Sequence, residues 1–428
     1  MTIIDYDNGG AAFLAKRRAR GDKDNATAQA VVNEILANVK ARGDEAVLEY
    51  TKRFDHADIV DMMVSDEEIH KAVEAIDQQL LAVLRRAFDR IKAFHEKQKQ
   101  NSWFETSPNG EILGQLVRPI VSVGVYVPGG LAFYPSSLIM SLAPAIAAGV
   151  ERIAITTPPN ANGMIEPVTL AAAAICGVRE IYKVGGAQAI GALAYGTQTI
   201  PKVDKIVGPG NIWVALAKKS VYGDVGVDSI AGPSEILVVA DKSANPVYVA
   251  ADLLSQAEHN ETASSILITD SAELARQVAE EVDRQMAVLP RKEIINKSIK
   301  DYGAIIIVSD LKQAMGISNS IAPEHLEIAT DNPFALLPLV QNAGSVFLGH
   351  FSPEPLGDYM AGPNHILPTD GTARFFSAQS VDDFIKKTGI VSFSKEALAP
   401  LAKDIIIFAE AERLSAHANA IRVRQAAN

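Results

Sequence analysis

The sequence lacks the cysteines and the basic runs by which several classes of protein are recognised. It holds one cysteine, Cys176, in 428 residues, which excludes an intrachain disulfide and a zinc cluster built from cysteines. Long basic runs are absent and the formal net charge is −11, so the surface should repel nucleic acid. A single thiol is typical of the reducing cytoplasm, where we expect this protein.

Long apolar runs are also absent. The longest, "LIMSLAPAIAAGV" at 138–150, stops at Glu151 and is shorter than the about 20 residues that span a bilayer. The first residues, "MTIIDYDNGG", are acidic and have no apolar core, so we expect no signal peptide. The sequence therefore predicts a protein that binds neither membranes nor nucleic acid.

The spacing of apolar residues predicts helices from residue 1 to about 110. The most basic cluster there alternates with apolar residues and is interpreted as a solvated helix face: Lys16, Arg17, Arg18 and Arg20. Three histidines among charged residues are interpreted as surface histidines: His56, His70 and His95.

From about residue 115 the pattern changes to strands that alternate with helices, beginning with "PIVSVGVYVPGG". Alternating units of this kind predict parallel sheets flanked by helices. Asn245 and Pro246 read as the N-cap and first residue of one such helix. The last 50 or so residues, from "SVDDFIKKTGIVSFS" onward, are predicted to be helical. This tail is too small for a core of its own and must pack on its own chain or on a partner.

Glycine-bearing turns are the first candidate for a binding site. Ligands of parallel sheets bind at the carboxyl ends of strands, where glycines let backbone amides approach a phosphate. We expect four turns at such ends: "YVPGG" (126–130), "VGGAQAI" (184–190), "VGPGN" (207–211) and "AGPSE" (231–235). "GPGNIW" has only the first two glycines of the dinucleotide fingerprint, so an ordinary turn remains an alternative.

Pairs of polar residues with metal-ligating side chains are the second candidate. Carboxylate and imidazole together suit zinc or a similar divalent ion, but no spacing here forms a compact metal motif, so scattered polar residues remain an alternative. The pairs are Gln256 with His259, Asp358 with His365, and Glu412 with His417.

An acid and a base stand side by side in the apolar stretch "IAPEHLEIAT" (321–330). Burying Glu324 or His325 without a partner is costly, so the two residues either line one pocket or form a capping glutamate beside a surface histidine. Cys176, in the alanine-rich "AAAAICGV", has no base nearby and is interpreted as a buried inert thiol.

Taken together, the motifs of this chain resemble those of the histidinol dehydrogenase family from about residue 25 to 420. They occur in the family's order: "GVYVPGG", "VGGAQAIGALAYGT", "PKVDKIVGPGN", "AGPSEILVVADKSANP", "ADLLSQAEH", "APEHLEI", "NAGSVFLG", "LGDYMAGPNHILPT" and "AEAERLSAH".

The resemblance implies a homodimer that depends on zinc and NAD and oxidises L-histidinol through L-histidinal to L-histidine, the last steps of histidine biosynthesis. It implies zinc ligands at Gln256, His259, Asp358 and, from the partner subunit, His417. It implies NAD contacts at Tyr126, Gln188 and Asn211. It also implies that the zinc ligands and His325 contact the substrate, together with Ser234, His365 and Glu412.

The resemblance gives the adjacent pair a role. His325 resembles the base that accepts the proton of the alcohol, and Glu324 resembles the group that activates water for the second oxidation. One alternative is a paralogue that uses the same zinc and NAD apparatus on another small alcohol, such as a sulfonated diol. A second alternative is a non-catalytic NAD-binding protein on the same fold.

The predicted fold is α/β, with two Rossmann-like parallel-sheet domains and small helical segments at both termini. The boundaries that we expect are an N-terminal helical arm at 1–20, a first Rossmann-like domain with the metal and catalytic residues at 21–125 and 236–379, a second Rossmann-like, NAD-binding domain at 126–235, and a helical tail at 380–428 that packs on the partner subunit.

Overall fold

The structure, a computed structural model, describes residues 1–18, 25–129, 134–230 and 232–426. Arg20, Gly130 and Ala231, which belong to the basic cluster and to two of the glycine-bearing turns, lie outside the described residues, as does the side chain of Arg18. The chain folds into two compact units, Met1–Gln98 with Val121–Phe384 and Lys99–Ile120 with Ile385–Asn428. The predicted domain boundaries stay predictions.

The described strands are short, as is usual for α/β proteins. In chain order they are β1 Ile3–Asp5, β2 Trp103–Thr106, β3 Glu111–Pro119, β4 Ser122–Tyr126, β5 Arg152–Thr157, β6 Ile181–Lys183, β7 Lys205–Val207, β8 Gly226–Val227, β9 Glu235–Ala240, β10 Ser264–Thr269, β11 Ala304–Ile307, β12 His325–Ala329, β13 Ser345–Leu348 and β14 Ile385–Phe393.

Most of the described helices are separated by one strand or one turn. In chain order they are α1 Gly10–Arg18, α2 Ala26–Arg42, α3 Asp44–Phe54, α4 Asp66–Ala75, α5 Gln78–Glu96, α6 Pro135–Ala148, α7 Pro167–Ile175, α8 Gly186–Tyr195, α9 Ile212–Val221, α10 Pro246–Ala257, α11 Ala272–Met286, α12 Lys292–Tyr302, α13 Leu311–Ile321, α14 Pro333–Leu336, α15 Glu354–Tyr359, α16 Lys395–Ala411 and α17 Ser415–Ala426.

The larger sheet of the first unit is parallel, with strand order β1-β11-β10-β9-β12-β13. Strand β9, "EILVVA", is buried along its whole length, which is typical of a parallel sheet that is covered on both faces. Residues of α10, α11 and α12 pack on one face, and residues of α1 and α13 pack on the other.

The second sheet of this unit is also parallel, with strand order β6-β5-β4-β7-β8. Residues of α2, α3, α8 and α9 join its strands in one apolar cluster. In both sheets the chain first adds strands on one side and then returns to the other, so switch points lie between β4 and β7 and between β9 and β12. The prediction of an α/β fold with two parallel sheets is confirmed.

The second unit differs from the prediction. Residues Ile385–Phe393, predicted to be helical, form strand β14, which pairs antiparallel with β3, and β3 pairs with β2. The helical prediction was wrong there because "GIVSF" is rich in β-branched and aromatic residues that pair well across strands. Strand β2 likewise lies inside the stretch predicted to be helical. Helices α16 and α17 agree with the sequence.

Two predictions of exposed side chains were wrong. Arg17 is 5% exposed and forms a buried ion pair with Glu235, so this residue of the basic cluster faces inward. His95 is fully buried; its Nδ1 lies 2.8 Å from Gln98 Oε1 and its Nε2 lies 3.3 Å from Asn364 Nδ2. Both side chains are buried because each has a polar partner from its own unit, which the local sequence does not reveal.

Several local predictions hold. The Asn245 side chain caps α10 by accepting a hydrogen bond from the Val247 amide, and Pro246 occupies the first helical position. Cys176 is buried, and burial raises the pKa of its thiol far above the ordinary value, so it is a poor nucleophile. Within the described ranges, every helix is too short or too polar to cross a membrane.

Candidate functional site

A cleft of about 450 Å³ in the first unit collects most of the residues nominated from the sequence. Its walls come from the carboxyl ends of β4 and β7 and from the amino ends of β9 and β12. The nominated residues that line it are Tyr126, Asn211, Ser234, Gln256, His259, Glu324, His325, Asp358 and His365.

The position of Ser234 corrects one expectation. The turn "AGPSE" was assigned to the carboxyl end of a strand, but Ser234 immediately precedes β9 and therefore lies at its amino end. Glu324 and His325 lie at the amino end of β12 in the same way. The cleft thus joins the carboxyl ends of one sheet to the amino ends of the other.

The backbone of one residue of β9, Glu235, bonds both members of the acid–base pair. The Glu235 amide donates to Glu324 Oε2 at 2.8 Å, and the Glu235 carbonyl lies 2.9 Å from His325 Nδ1. Adjacent residues of an extended chain point in different directions, and their side chains here bond to opposite ends of the same residue. Glu324 and His325 approach each other only to 3.7 Å, so each is anchored to Glu235 rather than to the other.

A tight turn leads into the pair. Ala322 closes α13 in the left-handed conformation with a φ of 53°, which is uncommon for a residue with a Cβ. The following backbone is held by Gly344, whose amide donates to the Pro323 carbonyl at 2.9 Å. A Cβ on Gly344 would lie 2.6 Å from the Glu324 carbonyl oxygen, so glycine is needed for this close approach.

The hydrogen bonds of His325 fix its tautomer. A backbone carbonyl can only accept, so Nδ1 carries the proton and Nε2 keeps its lone pair. Burial lowers the pKa of His325 to about 4, which leaves the imidazole neutral near pH 7. The ring therefore presents a proton acceptor, Nε2, on the side away from Glu235.

Burial raises the pKa of Glu324 well above its ordinary value, while the hydrogen bond from the Glu235 amide acts in the opposite direction. A carboxylate with a raised pKa is a stronger base than an exposed one. Glu324 is thus suited to accept a proton from water beside His325.

Three further residues of the cleft carry atoms that suit a divalent metal. Gln256, in the last turn of α10, is buried and its Oε1 has no hydrogen-bond partner. His259 follows the helix end, with its amide bonded to the Gln256 carbonyl, and its side chain opens onto the cleft. A buried amide oxygen without a donor is costly, and a cation in the cleft would satisfy it.

Asp358 supplies the negative charge of this group. It lies on the short helix α15 rather than in a loop, and its Oδ1 is 3.3 Å from His365 Nδ1. Burial acts to raise the pKa of Asp358, but the close polar contact with His365 outweighs it and brings the pKa to about 2. The carboxylate is therefore ionised. His365 Nε2 lies 3.2 Å from Ser137 Oγ, which fixes the other side of the ring.

Glu354 is a residue of the site that the sequence analysis missed. Its side chain is buried, its Oε1 lies 3.8 Å from His325 Nε2 without a hydrogen-bond partner, and burial raises its pKa to about 8. His325, Glu354 and Asp358 bring ligand atoms within 4.8 Å of one another and form a second group that could hold a metal. The spacing of Glu354 and Asp358, one helical turn apart, is the signal that could have found it.

His95 is another residue whose contribution was missed. Asn364 donates to the Met140 carbonyl at 2.7 Å and lies against His95 Nε2, and its own Oδ1 accepts from the Ile366 amide. These bonds hold the backbone on both sides of His365. No local sequence feature links His95 to this loop, since the partners are far apart in the chain.

The three residues that the resemblance assigns to NAD lie near the carboxyl ends of strands of the second sheet. Tyr126 ends β4 and its hydroxyl accepts from the Gly186 amide at 3.3 Å, while Asn211 caps α9. Gln188 does not line the cleft; it is buried on α8, with both amide atoms unpartnered. Gly208 has a φ of 112°, and a Cβ there would meet the Tyr126 carbonyl at 2.1 Å, so no other residue fits this turn.

Glu412 and His417 belong to the second unit. Glu412 follows the end of α16 and His417 lies on α17, and both are exposed. The other nominated residues all belong to the first unit.

The chain resembles proteins of one family over nearly its full length. The family profile described as histidinol dehydrogenase matches residues 18–425. The chain is 53% identical to the histidinol dehydrogenase of Clostridium acetobutylicum over 99% of this chain and 98% of that protein. It is 52% identical to that of Geobacter sulfurreducens over 99% of this chain and all of that protein.

A solved structure gives the same result. The crystal structure of histidinol dehydrogenase from Elizabethkingia anophelis matches with a TM-score of 0.90 at 40% identity, over 94% of this chain and 92% of that one. The likeness extends to both parallel sheets, since so high a coverage leaves neither out.

Replacing Gly344 by alanine should disturb the acid–base pair. The added Cβ must displace the Glu324 carbonyl, so we expect a loss of about 1–3 kcal/mol in the free energy of unfolding. We also expect kcat to fall by a larger factor than the decrease in the folded fraction of the protein explains. Urea unfolding and steady-state kinetics measure the two effects.

Gly316→Ala is the matched control. Gly316 lies inside α13 with nothing within 4 Å of the added Cβ, so alanine should stabilise the protein by roughly 0.5–1 kcal/mol. Full activity of Gly344→Ala would contradict the argument.

Proposed function

The chain belongs to the histidinol dehydrogenase family, and from this premise we propose that it oxidises L-histidinol through L-histidinal to L-histidine, the last steps of histidine biosynthesis, with zinc and two molecules of NAD. The observation that carries the proposal is the shared attachment of Glu324 and His325 to the Glu235 peptide in the wall of one cleft.

His325 serves as the base of both oxidations. Its Nδ1 proton is committed to the Glu235 carbonyl, so Nε2 accepts the hydroxyl proton, first of the alcohol and later of the hydrated aldehyde. When NAD is bound, it takes the hydride of each oxidation. The neutral state of the buried imidazole supports this role, because only the neutral ring can accept a proton.

Glu324 serves the step between the two oxidations. The aldehyde must gain water before a second hydride can leave. Glu324 takes a proton from that water as the water oxygen bonds to the carbonyl carbon. The π bond of the carbonyl group breaks, and its oxygen takes the proton that His325 Nε2 gained in the first oxidation. The product is a hydrate that again carries a hydroxyl for His325. The buried Cys176, with its raised thiol pKa, offers no thioester route, so water is the available nucleophile.

The donor atoms of the cleft suit zinc. Gln256, His259 and Asp358 would hold it with an amide oxygen, an imidazole nitrogen and an ionised carboxylate, and the unpartnered Gln256 Oε1 is the observation that supports this fit. The partner's His417 would complete the set. Zinc, when bound, would orient a substrate through its nitrogen atoms. His325 then remains outside the metal shell and keeps Nε2 for proton transfer.

The remaining proposed contacts fall into two groups, one that would bind NAD and one that would bind the substrate. Tyr126, Gln188 and Asn211 would bind NAD at the carboxyl end of the second sheet, where the Asn211 cap begins α9. The unpartnered amide of Gln188 supports its part in this site. Ser234, His365 and the partner subunit's Glu412 would bind the substrate beside the zinc ligands.

This assignment implies a homodimer and a division of labour among domains. The metal and catalytic residues would belong to the first Rossmann-like domain and the NAD contacts to the second. The C-terminal tail would complete the site of the partner. The exposed side chains of Glu412 and His417 support this arrangement, because both are free to meet another chain. We place the enzyme in the cytoplasm.

The stoichiometry of NADH tests the reaction. We expect two NADH for each L-histidinol at limiting substrate, lost on chelation and restored by zinc. Glu324→Gln should slow the second oxidation by about 10²–10⁴-fold and so yield close to one NADH in short reactions, while the exposed control Glu293→Gln should still yield two. No NADH from folded, zinc-loaded protein would favour a paralogue that acts on another alcohol.

Metal content separates the two candidate metal groups. Gln256→Ala and His259→Asn should lose zinc by elemental analysis after dialysis, whereas Glu354→Gln should keep it. The opposite pattern would assign the metal to His325, Glu354 and Asp358 and would contradict the proposed ligands. Asp358 belongs to both groups and does not discriminate between them.

Subunit complementation tests the partner's ligand. His259→Asn and His417→Asn should each be inactive, but their co-expressed mixture should recover about a quarter of wild-type activity, because half of the dimers are mixed and one of two sites in each is intact. A mixture of His259→Asn with Asp358→Asn, which lie in the same chain's half of the site, should recover none. Absence of recovery in the first mixture would mean that His417 acts within its own chain.

A further inference from the structure

The turn after β7 forms part of the wall of the cleft and is rich in glycine. Residues 207–211 read "VGPGN", and the last four of them line the cleft. Glycine has more backbone freedom to lose than any other residue, so holding such a turn in one shape costs conformational entropy. Either contacts within the protein fix the turn beforehand, or a ligand must order it on binding.

A buried ion pair bonds both polar groups of the Gly208 backbone. Lys218 lies on α9 and Asp228 follows β8; their side chains are paired and only 4% and 5% exposed. The Gly208 amide donates to Asp228 Oδ2 at 2.8 Å, and Lys218 Nζ donates to the Gly208 carbonyl at 3.0 Å. The Ser229 amide donates to Asp228 Oδ1 at 2.7 Å and so fixes the carboxylate. The protein therefore holds Gly208 on both sides.

The charge of Lys218 is already used within the protein. Lys218 is the one lysine or arginine among the described residues that line the cleft, so an unpaired ammonium group there would attract the phosphates of a nucleotide. Asp228 neutralises it, however, and two of its three N–H groups donate to Asp228 and to the Gly208 carbonyl. Because a buried ion pair adds little net stability, the stability of the fold is a weak reason to keep one here. Holding the turn is the stronger reason.

We propose that Lys218 and Asp228 are positioning residues for NAD: their bonds to Gly208 hold the turn in the shape that NAD binds. The inference rests on the proposed NAD-dependent function and adds two residues to it. The turn leads directly to Asn211, which caps α9, and the amino end of a helix suits a phosphate. The shape of the turn therefore decides where these groups meet the dinucleotide. Contacts that are equally strong in the ground state and the transition state affect KM rather than kcat.

The experiment measures the binding of NAD to the zinc-loaded enzyme by calorimetry without L-histidinol, and the steady-state kinetics with both substrates. The main variant is Lys218→Met combined with Asp228→Leu, which removes both bonds to Gly208 and leaves no unpaired buried charge. The Kd and the KM for NAD should rise about tenfold, because the ligand must then order the turn. The kcat and the KM for L-histidinol should stay within about twofold.

A single variant distinguishes positioning from direct binding of a phosphate by Lys218. Asp228→Asn removes the negative charge beside Lys218. If Lys218 contacted a phosphate, the freed ammonium group would bind NAD more tightly, and the affinity would fall as the salt concentration rises. The proposed role gives the opposite sign: one amide oxygen cannot accept all the bonds of the carboxylate, so NAD should bind more weakly, with the salt dependence of wild type. This sign decides the matter even if the double variant does not fold.

Two controls separate positioning from a loss of stability. Arg152→Met breaks the ion pair with Glu180, 2.6 Å long, beside the amino ends of β5 and β6 in the same sheet. This variant should lower the melting temperature and leave the Kd for NAD unchanged. Lys219→Met alters the exposed neighbour of Lys218 on α9 and should change neither quantity. Hydrogen exchange of the Gly208 amide, which should be faster in the double variant, reports on the turn directly.

The outcomes are distinct. An unchanged Kd for NAD in the folded double variant would overturn the inference and leave the proposed reaction intact. Tighter, salt-sensitive binding in Asp228→Asn would assign Lys218 to a phosphate and would also overturn it. If wild type fails to oxidise L-histidinol but its binding of NAD still depends on Lys218 and Asp228, the positioning role stands and the proposed function falls.

Discussion

The two hydrogen bonds to the Glu235 peptide are the interaction on which the site depends. They turn an acid and a base that are adjacent in sequence into two separately anchored groups. The Glu235 side chain is itself held by the buried ion pair with Arg17 of α1, so the first helix of the chain supports the residue that anchors Glu324 and His325. A buried pair of this kind adds little net stability, but removing one partner is strongly unfavourable.

The arrangement of the two sheets brings two kinds of strand end together in one cleft. The second sheet offers the carboxyl ends of β4 and β7, which suit a phosphate-bearing ligand. The first sheet contributes the amino ends of β9 and β12, and Glu324 and His325 lie at the amino end of β12. The second sheet has its switch point here, between β4 and β7, and the separation of the connections beyond its carboxyl ends leaves room for a ligand.

The sequence predicts some of this well. The alternation of strands and helices gave both parallel sheets, and Glu324 with His325 was recognisable as an unusual pair in an apolar stretch. Arg17 and His95 were predicted to be exposed and Glu354 was not nominated, because the burial of all three depends on partners far away in the chain. Strand β14 was predicted to be helical although its β-branched and aromatic residues favour a strand; its partner β3 lies far away in the chain. Local pattern therefore reveals elements and adjacent groups, whereas contacts between distant segments decide which polar residues turn inward.

The register of β12 against β9 decides whether Glu324 and His325 both reach the backbone of Glu235. His325 pairs with Ile236 across these strands, and side chains alternate between faces along a strand. A slip of one residue would send every side chain of β12 to the opposite face and would separate Glu324 and His325 from the Glu235 peptide together. A misaligned chain would therefore lose both side chains from the cleft at once. Under the proposed mechanism it would carry out neither oxidation, and it would release no aldehyde.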